Sequence, residues 1–258
     1  MPKVPGWTCR KISIFRVSHA SSVYVVSRMK MKHCLLFLSG PFLASAEIQN
    51  EIPLGIEAVT GYRTEYVHRG FKLADNVFDF QLQSEVVLSD NWSINFGGWY
   101  ATGTNKNSDF SETSGFVDFR YDQKAYSAGI ALGFRDFTDT LFRDAVEVGP
   151  YYSWHMSEDV DVTFALTYDS GAQAWYGKTE IAWSKVLSDK SFISTLAGIS
   201  IVDDYYGRDG LNDAFGRISY TYKVAQNVSL TPFFGTSLGL DESDESTLFG
   251  GVWFEVTF

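Results

Sequence analysis

The sequence predicts an all-β protein, a transmembrane antiparallel up-and-down β-barrel of about 12 strands. Three observations lead to this fold class. Apolar and polar residues alternate with a period of two in one segment after another, which is typical of strands with one apolar and one polar face. Polar turns separate these segments, and short turns alternate with longer loops. The stretch 248–258, LFGGVWFEVTF, is itself an apolar strand, which a closed barrel can pair with its first strand.

The composition agrees with a membrane barrel. Aromatic residues make up 16% of the 258 residues, and 22 glycines stand against only six prolines. The mean hydropathy is −0.09, with no apolar excess of the kind that helical membrane proteins carry. Alternation of lipid-facing and lumen-facing side chains produces such an average.

The amino-terminal region has the three parts of a secretory signal peptide. A basic segment at 29–33 precedes an apolar run at 34–43 and an A-x-A cleavage site, Ala44-Ser45-Ala46. We therefore expect residues 1–28 to be an over-called start, 29–46 the signal peptide, and 47–258 the outer-membrane β-barrel. Removal of 1–46 also removes Cys9 and Cys34, so the mature chain has no disulfide and no cysteine-bound metal.

The mature barrel is strongly acidic. Residues 1–46 hold seven of the 21 Lys and Arg and none of the 31 Asp and Glu, which leaves 14 bases against 31 acids, a net charge of −17. Nucleic acid is therefore not an expected partner, because its phosphates require a basic surface. The same charge argues against docking on anionic lipid through a basic patch.

Twelve strands follow in order, each recognised by its alternation. They are predicted at 54–66, 77–88, 92–100, 115–121, 126–135, 146–155, 160–169, 174–187, 192–202, 214–223, 228–238 and 248–258. Short turns are expected at 89–91, 122–124, 157–159, 188–190 and 225–227, and longer loops at 69–76, 102–113, 136–145, 169–173, 203–213 and 239–246. This pattern predicts both termini in the periplasm. The first strand should turn Tyr62, Thr64 and Tyr66 outward. At Pro150 and Pro232 we expect either a bulge or strand boundaries that differ locally from those given.

The inward faces are predicted to carry charges of both signs. The candidate pore-lining residues are Arg63, Asp79, Glu85, Asp118, Arg120, Arg135, Glu147, Asp161, Lys178, Glu180, Arg217 and Lys223. Charged rings of this kind set the ion preference of an open pore. If the same charges pack against each other they close a narrow barrel, and twelve strands allow either outcome.

No catalytic or metal site is predicted. Ser153 and His155 share one face of a strand, but no Asn or Asp is recognisable as the group that would orient the histidine, so a polar lumen residue is the preferred interpretation. The acidic stretches at 203–213 and 241–245 offer oxygen ligands for Ca²⁺ or Mg²⁺, yet they lack a defined loop spacing. We interpret them as solvated surface beside cation-bridged lipopolysaccharide, and expect no cofactor.

The first hairpin resembles a known family. Tyr66-Val67-His68-Arg69-Gly70, a short loop and then Val77-Phe78-Asp79-Phe80-Gln81 are similar to the amino-terminal signature of the TorF family of porin-like proteins. The likeness covers about thirty residues, and His68 departs from the apolar or aromatic residue of the family pattern. The resemblance implies an outer-membrane barrel for passive solute transport without catalytic residues.

The sequence therefore predicts a porin-like channel of the bacterial outer membrane for small hydrophilic solutes or ions. The alternative is a closed barrel with a structural, adhesive or lipid-modifying role. Expected partners are outer-membrane lipid and lipopolysaccharide, the diffusing solutes, and the barrel-assembly machinery. The last of these is expected to read the terminal signal formed by Phe254, Val256 and Phe258.

Overall fold

The computed structural model describes residues 54–105, 108–240 and 245–258, together with the backbone of a short hairpin near the amino terminus. That hairpin belongs to a separate unit, Met1–Glu51, and pairs β1 (Ser13–Val17) with β2 (Ser22–Val26) in antiparallel fashion. The predicted signal peptide at 29–46 lies outside the described residues. The over-called start and the signal peptide therefore stay predictions.

The second unit, Ile52–Phe258, is a closed barrel of twelve antiparallel strands, which confirms the predicted fold class. The strands are β3 (Leu54–His68), β4 (Phe71–Val87), β5 (Trp92–Gly103), β6 (Ser111–Asp122), β7 (Tyr126–Thr138), β8 (Ala145–His155), β9 (Val160–Asp169), β10 (Ala174–Ser188), β11 (Ser191–Tyr205), β12 (Arg208–Ala225), β13 (Val228–Gly239) and β14 (Thr247–Thr257). Each strand pairs with its sequence neighbours, and β14 closes the ring on β3. Within the described part of the chain, no helix is long and apolar enough to cross a membrane.

The two ends of the barrel differ in their connections. We call the end with Leu54 and Phe258 the terminus end; its turns are 88–91, 123–125, 156–159, 189–190 and 226–227. The opposite end, the loop end, has connections at 69–70, 104–110, 139–144, 170–173, 206–207 and 240–246. The predicted long loops at 69–76 and 203–213 were wrong. Their polar residues continue β3, β4, β11 and β12, and only tight turns at 69–70 and 206–207 remain.

One side chain of the first strand points the other way from its prediction. Tyr66 was expected on the outer face, but it is fully buried in the interior. The ladder between β3 and β4 is irregular in this stretch: Thr64 and Asn76 do not pair, Asn76 adopts a φ of 56°, and the register shifts between Tyr66 and Val67. Because side chains alternate with a period of two, such an interruption changes the face on which later residues lie.

Neither proline produces a bulge. The pairing of β8 with β9 passes from Val148 to Tyr151 in unchanged register, so Pro150 only interrupts the ladder on that side. Pro232 does the same between β12 and β13, while it keeps its pairing with Val252 on β14. A proline lacks only its own N–H, so one missing contact on one side is enough to accommodate it.

The outside of the barrel carries a continuous apolar surface. Exposed members of this band include Phe78, Phe80, Leu82, Phe96, Val117, Phe119, Ile130, Leu132, Phe134, Val148, Phe164, Leu166, Ile181, Ile199, Ile218 and Phe234. Toward the terminus end, the rings of Trp92, Tyr121, Tyr126 and Tyr152 follow one another at centroid distances between 4.8 and 6.4 Å. Toward the loop end, Tyr168 and Trp175 meet at 5.2 Å. An apolar band with aromatic residues at its borders is the exterior of a lipid-embedded barrel.

Candidate functional site in the barrel interior

The polar faces of the strands meet inside the barrel. Of the predicted pore-lining residues, eight are buried there: Arg63, Asp79, Asp118, Arg120, Arg135, Glu147, Glu180 and Arg217. Asp161, Lys178 and Glu85 are partly exposed, and Lys223 is exposed near the terminus end. The terminal residues Phe254 and Phe258 are exposed and Val256 is half-buried. Ion pairs connect several buried charges, so the structure packs these residues against each other across much of the interior.

Aromatic rings enter the interior where glycines make room for them. The Trp253 ring lies where a Cβ on Gly61 would be, and Phe116 occupies the same kind of place beside Gly97. Trp253 also stacks on Phe233, with ring centroids 3.8 Å apart. We call these three rings the aromatic belt. Arg217 lies over it, 5.0 Å from the Trp253 ring centre.

On the loop-end side of this belt, Arg63 of β3 and Asp79 of β4 form a buried ion pair. Arg63 Nε donates to Asp79 Oδ2 over 2.8 Å, and the Arg63 guanidinium lies 5.1 Å from the Trp99 ring centre. The cation–π contact with Trp99 and the ion pair with Asp79 together offset the desolvation of the Arg63 guanidinium. Two candidates on neighbouring strands are thus brought together as a pair.

A second set of charges runs from β6 to β8. Arg135 of β7 donates to Glu112 Oε1 at 2.5 Å and to Glu147 Oε1 at 3.1 Å. Glu112 in turn accepts a very short hydrogen bond from the Tyr66 hydroxyl of β3. All four side chains are buried. This arrangement links one wall of the barrel to another through the interior.

Arg69 completes the network from the tight turn between β3 and β4. Its Nη2 donates to Glu147 Oε1 at 2.8 Å, and its Nη1 donates to Asp169 Oδ2 at 3.1 Å and to the Tyr205 hydroxyl at 2.7 Å. Its guanidinium lies 4.6 Å from the centre of the Tyr176 ring. Burial lowers the pKa of Arg69, but Glu147, Tyr205 and Asp169 together outweigh it and hold the pKa above its usual value.

The partners of Arg69 lie on the far side of the barrel from the turn that carries it. In the ring of strands, β9 lies six places from β3 in either direction, so Asp169 projects from the wall opposite the strand that carries Arg69. Glu147 lies on the neighbouring strand β8, and Tyr205 on β11. One side chain therefore bridges the diameter of the barrel near its loop end.

An aromatic cluster surrounds this bridge. Phe142, from the connection between β7 and β8, lies 5.3 Å from Phe71, 5.3 Å from His68 and 4.5 Å from Tyr206, measured between ring centres. Tyr176, Val202 and Tyr205 pack in the same cluster. Apolar burial and buried ion pairs thus close the loop end together.

The terminus end has a different network, which stays between neighbouring strands. Arg120 of β6 donates to Asp122 Oδ1 at 2.7 Å and to Ser127 Oγ at 2.8 Å. His155 lies between Ser127, 2.9 Å from its Nε2, and Asp161, 2.7 Å from its Nδ1. The sequence had pointed to Ser153 as the partner of His155, but Ser153 bonds Thr163 instead.

Ser127, His155 and Asp161 have the connectivity of a Ser–His–Asp triad, with Asp161 as the orienting group that the sequence did not reveal. Ser127, however, has no exposed surface, and its oxygen already accepts a hydrogen bond from Arg120. A nucleophile must reach the atom that it attacks. We therefore interpret the three residues as a polar network that holds the wall of the barrel.

Smaller groups complete the interior. Lys178 pairs with Glu180 at 3.0 Å on β10, and Glu57 accepts from Gln83 at 2.6 Å. Asp118 accepts from Tyr151 at 3.0 Å. Among residues 54–105, 108–240 and 245–258, no group of three His, Cys, Asp or Glu side chains is arranged to hold a metal ion.

Sequence reasoning missed four residues of the loop-end network: Arg69, Glu112, Asp169 and Tyr205. Asp169 lies on the polar face of the predicted strand 160–169 but was not chosen as a candidate. Glu112 lies in the predicted loop 102–113, and it continues the inward alternation 112–114–116–118 of the strand that follows. Arg69 lies on a turn at a φ of 50°, where no periodicity applies.

No known protein family matches the sequence, and no curated protein matches it either. Solved structures do match the fold. The COG4313 outer membrane channel from Pseudomonas putida F1 is 10% identical with a TM-score of 0.53, over 84% of this chain and 100% of that one. The KdgM porin (9% identity, TM-score 0.52, 79% and 99%) and the NanC porin (9%, 0.51, 79% and 98%) are similar in the same way. The chain thus has the fold of outer-membrane channel barrels; the TorF resemblance stays a prediction.

Proposed function

We propose that this protein is an outer-membrane channel through which small hydrophilic solutes or ions diffuse passively. The observation that carries the proposal is the contrast between an apolar exterior and the charged and polar side chains that lie in both halves of the interior. Burial of charge is costly, so these arginines and carboxylates must serve a purpose: they line a solute pathway, or they close the barrel where they pack against each other. A solute pathway needs such groups.

The proposal includes a cellular location and interaction partners. The barrel lies in the bacterial outer membrane with both termini in the periplasm, surrounded by lipid and lipopolysaccharide, and belongs with the TorF proteins. The terminal residues Phe254, Val256 and Phe258 serve the barrel-assembly machinery as an insertion signal. The excess of interior carboxylates gives the pathway a weak preference for cations.

The alternative is a closed barrel with a structural or adhesive role, and one observation favours it. The loop end is filled by the Arg69 network and by the aromatic cluster around Phe142. The proposed channel must therefore open at this end before solute can pass.

Liposome swelling with sugars of graded size and planar-bilayer recording of the protein purified from membranes test the proposal. We expect swelling with the smallest sugars and discrete conductance steps. Complete impermeability of correctly folded protein, in the wild type and in variants of the loop-end network alike, would leave the closed barrel as the function.

A further inference from the structure

We propose that the tight turn between β3 and β4 is a built-in gate, a strap of residues 68–71 that closes the loop end through Arg69 and opens the pathway when it is released. This inference rests on the proposed channel function. It names the segment that moves and the contacts that hold it.

The strap is held from the opposite side of the barrel. Arg69 reaches Glu147 at 2.8 Å and Asp169 at 3.1 Å, and these carboxylates project from β8 and β9. The backbone oxygen of Arg69 accepts a hydrogen bond from Asn212 Nδ2 of β12 over 2.9 Å. A turn that only joined two neighbouring strands would need none of these contacts.

The tip of the strap is a tight hairpin turn that lies close to β12. Arg69 and Gly70 both have positive φ values, 50° and 84°, as in a two-residue hairpin turn, and Tyr206 and Gly207 repeat this geometry with 51° and 86°. A Cβ on Gly70 would come within 2.8 Å of Arg208 Nη1, 3.0 Å of Asn212 Nδ2 and 3.2 Å of Asp213 Cβ. The positive φ and the closeness of β12 together favour glycine at the tip of the strap.

The holding contacts form a two-state element. When Arg69 lies in the lumen, its guanidinium contacts the carboxylates and aromatic rings at the same time. All of these contacts are lost together when the strap moves away. Buried ion pairs depend on both partners, since removal of one leaves an uncompensated buried charge. The strap connects to the rest of the barrel only through β3 and β4, so it can swing outward without unfolding the ring.

Four proteins test the strap in planar bilayers: the wild type, Arg69→Gln, Gly70→Ala and Arg143→Gln. Arg69→Gln removes the charge that bridges the lumen. Gly70→Ala keeps every charge but crowds the tip of the strap against β12. Arg143 is an exposed arginine of the 139–144 connection at the same end, so its substitution is the matched control for charge.

The folded barrel of each variant is identified by heat-modifiable migration in gels. If Arg69→Gln does not fold, Gly70→Ala tests the strap in its place.

We expect Arg69→Gln and Gly70→Ala each to raise the mean conductance about tenfold or more, since loss of a buried contact shifts a two-state population by at least that factor. Arg143→Gln should match the wild type. The reversal potential should move toward cations in Arg69→Gln, which removes a positive charge from the loop end, and should move less in Gly70→Ala, which keeps that charge.

The outcomes separate the two proposals. Equal conductance of all four proteins would keep the channel and overturn the strap. An absence of conductance in all four, each with a folded barrel, would overturn the channel function and the strap with it.

Discussion

The two halves of the barrel interior are held together in different ways. At the loop end, contacts cross the lumen: Arg69 bonds Glu147, Asp169 and Tyr205, which lie 78, 100 and 136 residues away in the sequence. At the terminus end, contacts join neighbouring strands, as where Ser127 meets His155 only 28 residues away and His155 meets Asp161 six residues away. Cross-lumen contacts block a pathway, whereas contacts along the wall leave it open. The comparison teaches that, in the proposed channel, the contacts that would hinder a solute are concentrated at the loop end.

The largest expected effect comes from Glu147, the carboxylate shared by Arg69 and Arg135. Glu147→Gln leaves both buried guanidiniums without their common partner, and the free energy of unfolding should fall by about 3–5 kcal/mol. The matched change at the terminus end is Asp161→Asn, where the pair with His155 is partly exposed and the loss should stay within about 1 kcal/mol. Urea titration in detergent micelles measures both. Equal losses would remove the distinction between the two halves.

The packing of the aromatic belt can be tested by substitution of Gly61, the glycine beside the Trp253 ring. Gly61→Ala places a methyl group against the Trp253 ring and 2.9 Å from the Val252 oxygen, so the overpacked barrel should lose about 1–3 kcal/mol. Gly55 lies in the same strand with nothing within 4 Å of its would-be Cβ, and Gly55→Ala is the control. The same unfolding titration should separate these two variants; if they are indistinguishable, the belt is not tightly packed.

A smaller effect is expected from Arg120 at the terminus end. Reversal of its charge adds a carboxylate beside the pathway, and the reversal potential should shift toward cations by on the order of 10 mV in a salt gradient. Lys124 lies exposed in the 123–125 turn at the same end, so Lys124→Glu controls for charge at the rim. A shift in the control as large as that of Arg120→Glu would place the effect at the surface.

The smallest effect is expected from a serine-reactive fluorophosphonate. Ser127 has no exposed surface, so the reagent should leave the folded protein unlabelled, and Ser127→Ala should conduct like the wild type. Stoichiometric labelling that is lost in Ser127→Ala would turn the Ser127–His155–Asp161 network into a catalytic site.

The period of two made the barrel predictable from the sequence, but not the network that closes it. Alternation places Arg63, Arg135 and Glu147 inside correctly, because each lies in an uninterrupted strand. It fails at Tyr66, where the ladder between β3 and β4 is irregular. Arg69 could not be predicted, since its contacts depend on how a turn folds across the closed ring, and that geometry exists only after all twelve strands have assembled.

The seam between β14 and β3 has a kinetic consequence. There Gly251 pairs with Arg63, and the backbone of Gly250 donates to the Thr64 hydroxyl across 186 residues of chain. Every other strand pair joins neighbours in the sequence and can form as a hairpin, while this one must bring together the two most distant strands. Because such a contact carries a large loop-closure entropy, the seam is expected to be the last and slowest ladder to form. Residues 251–257 supply one strand of this last ladder, so their pairing completes the closed barrel.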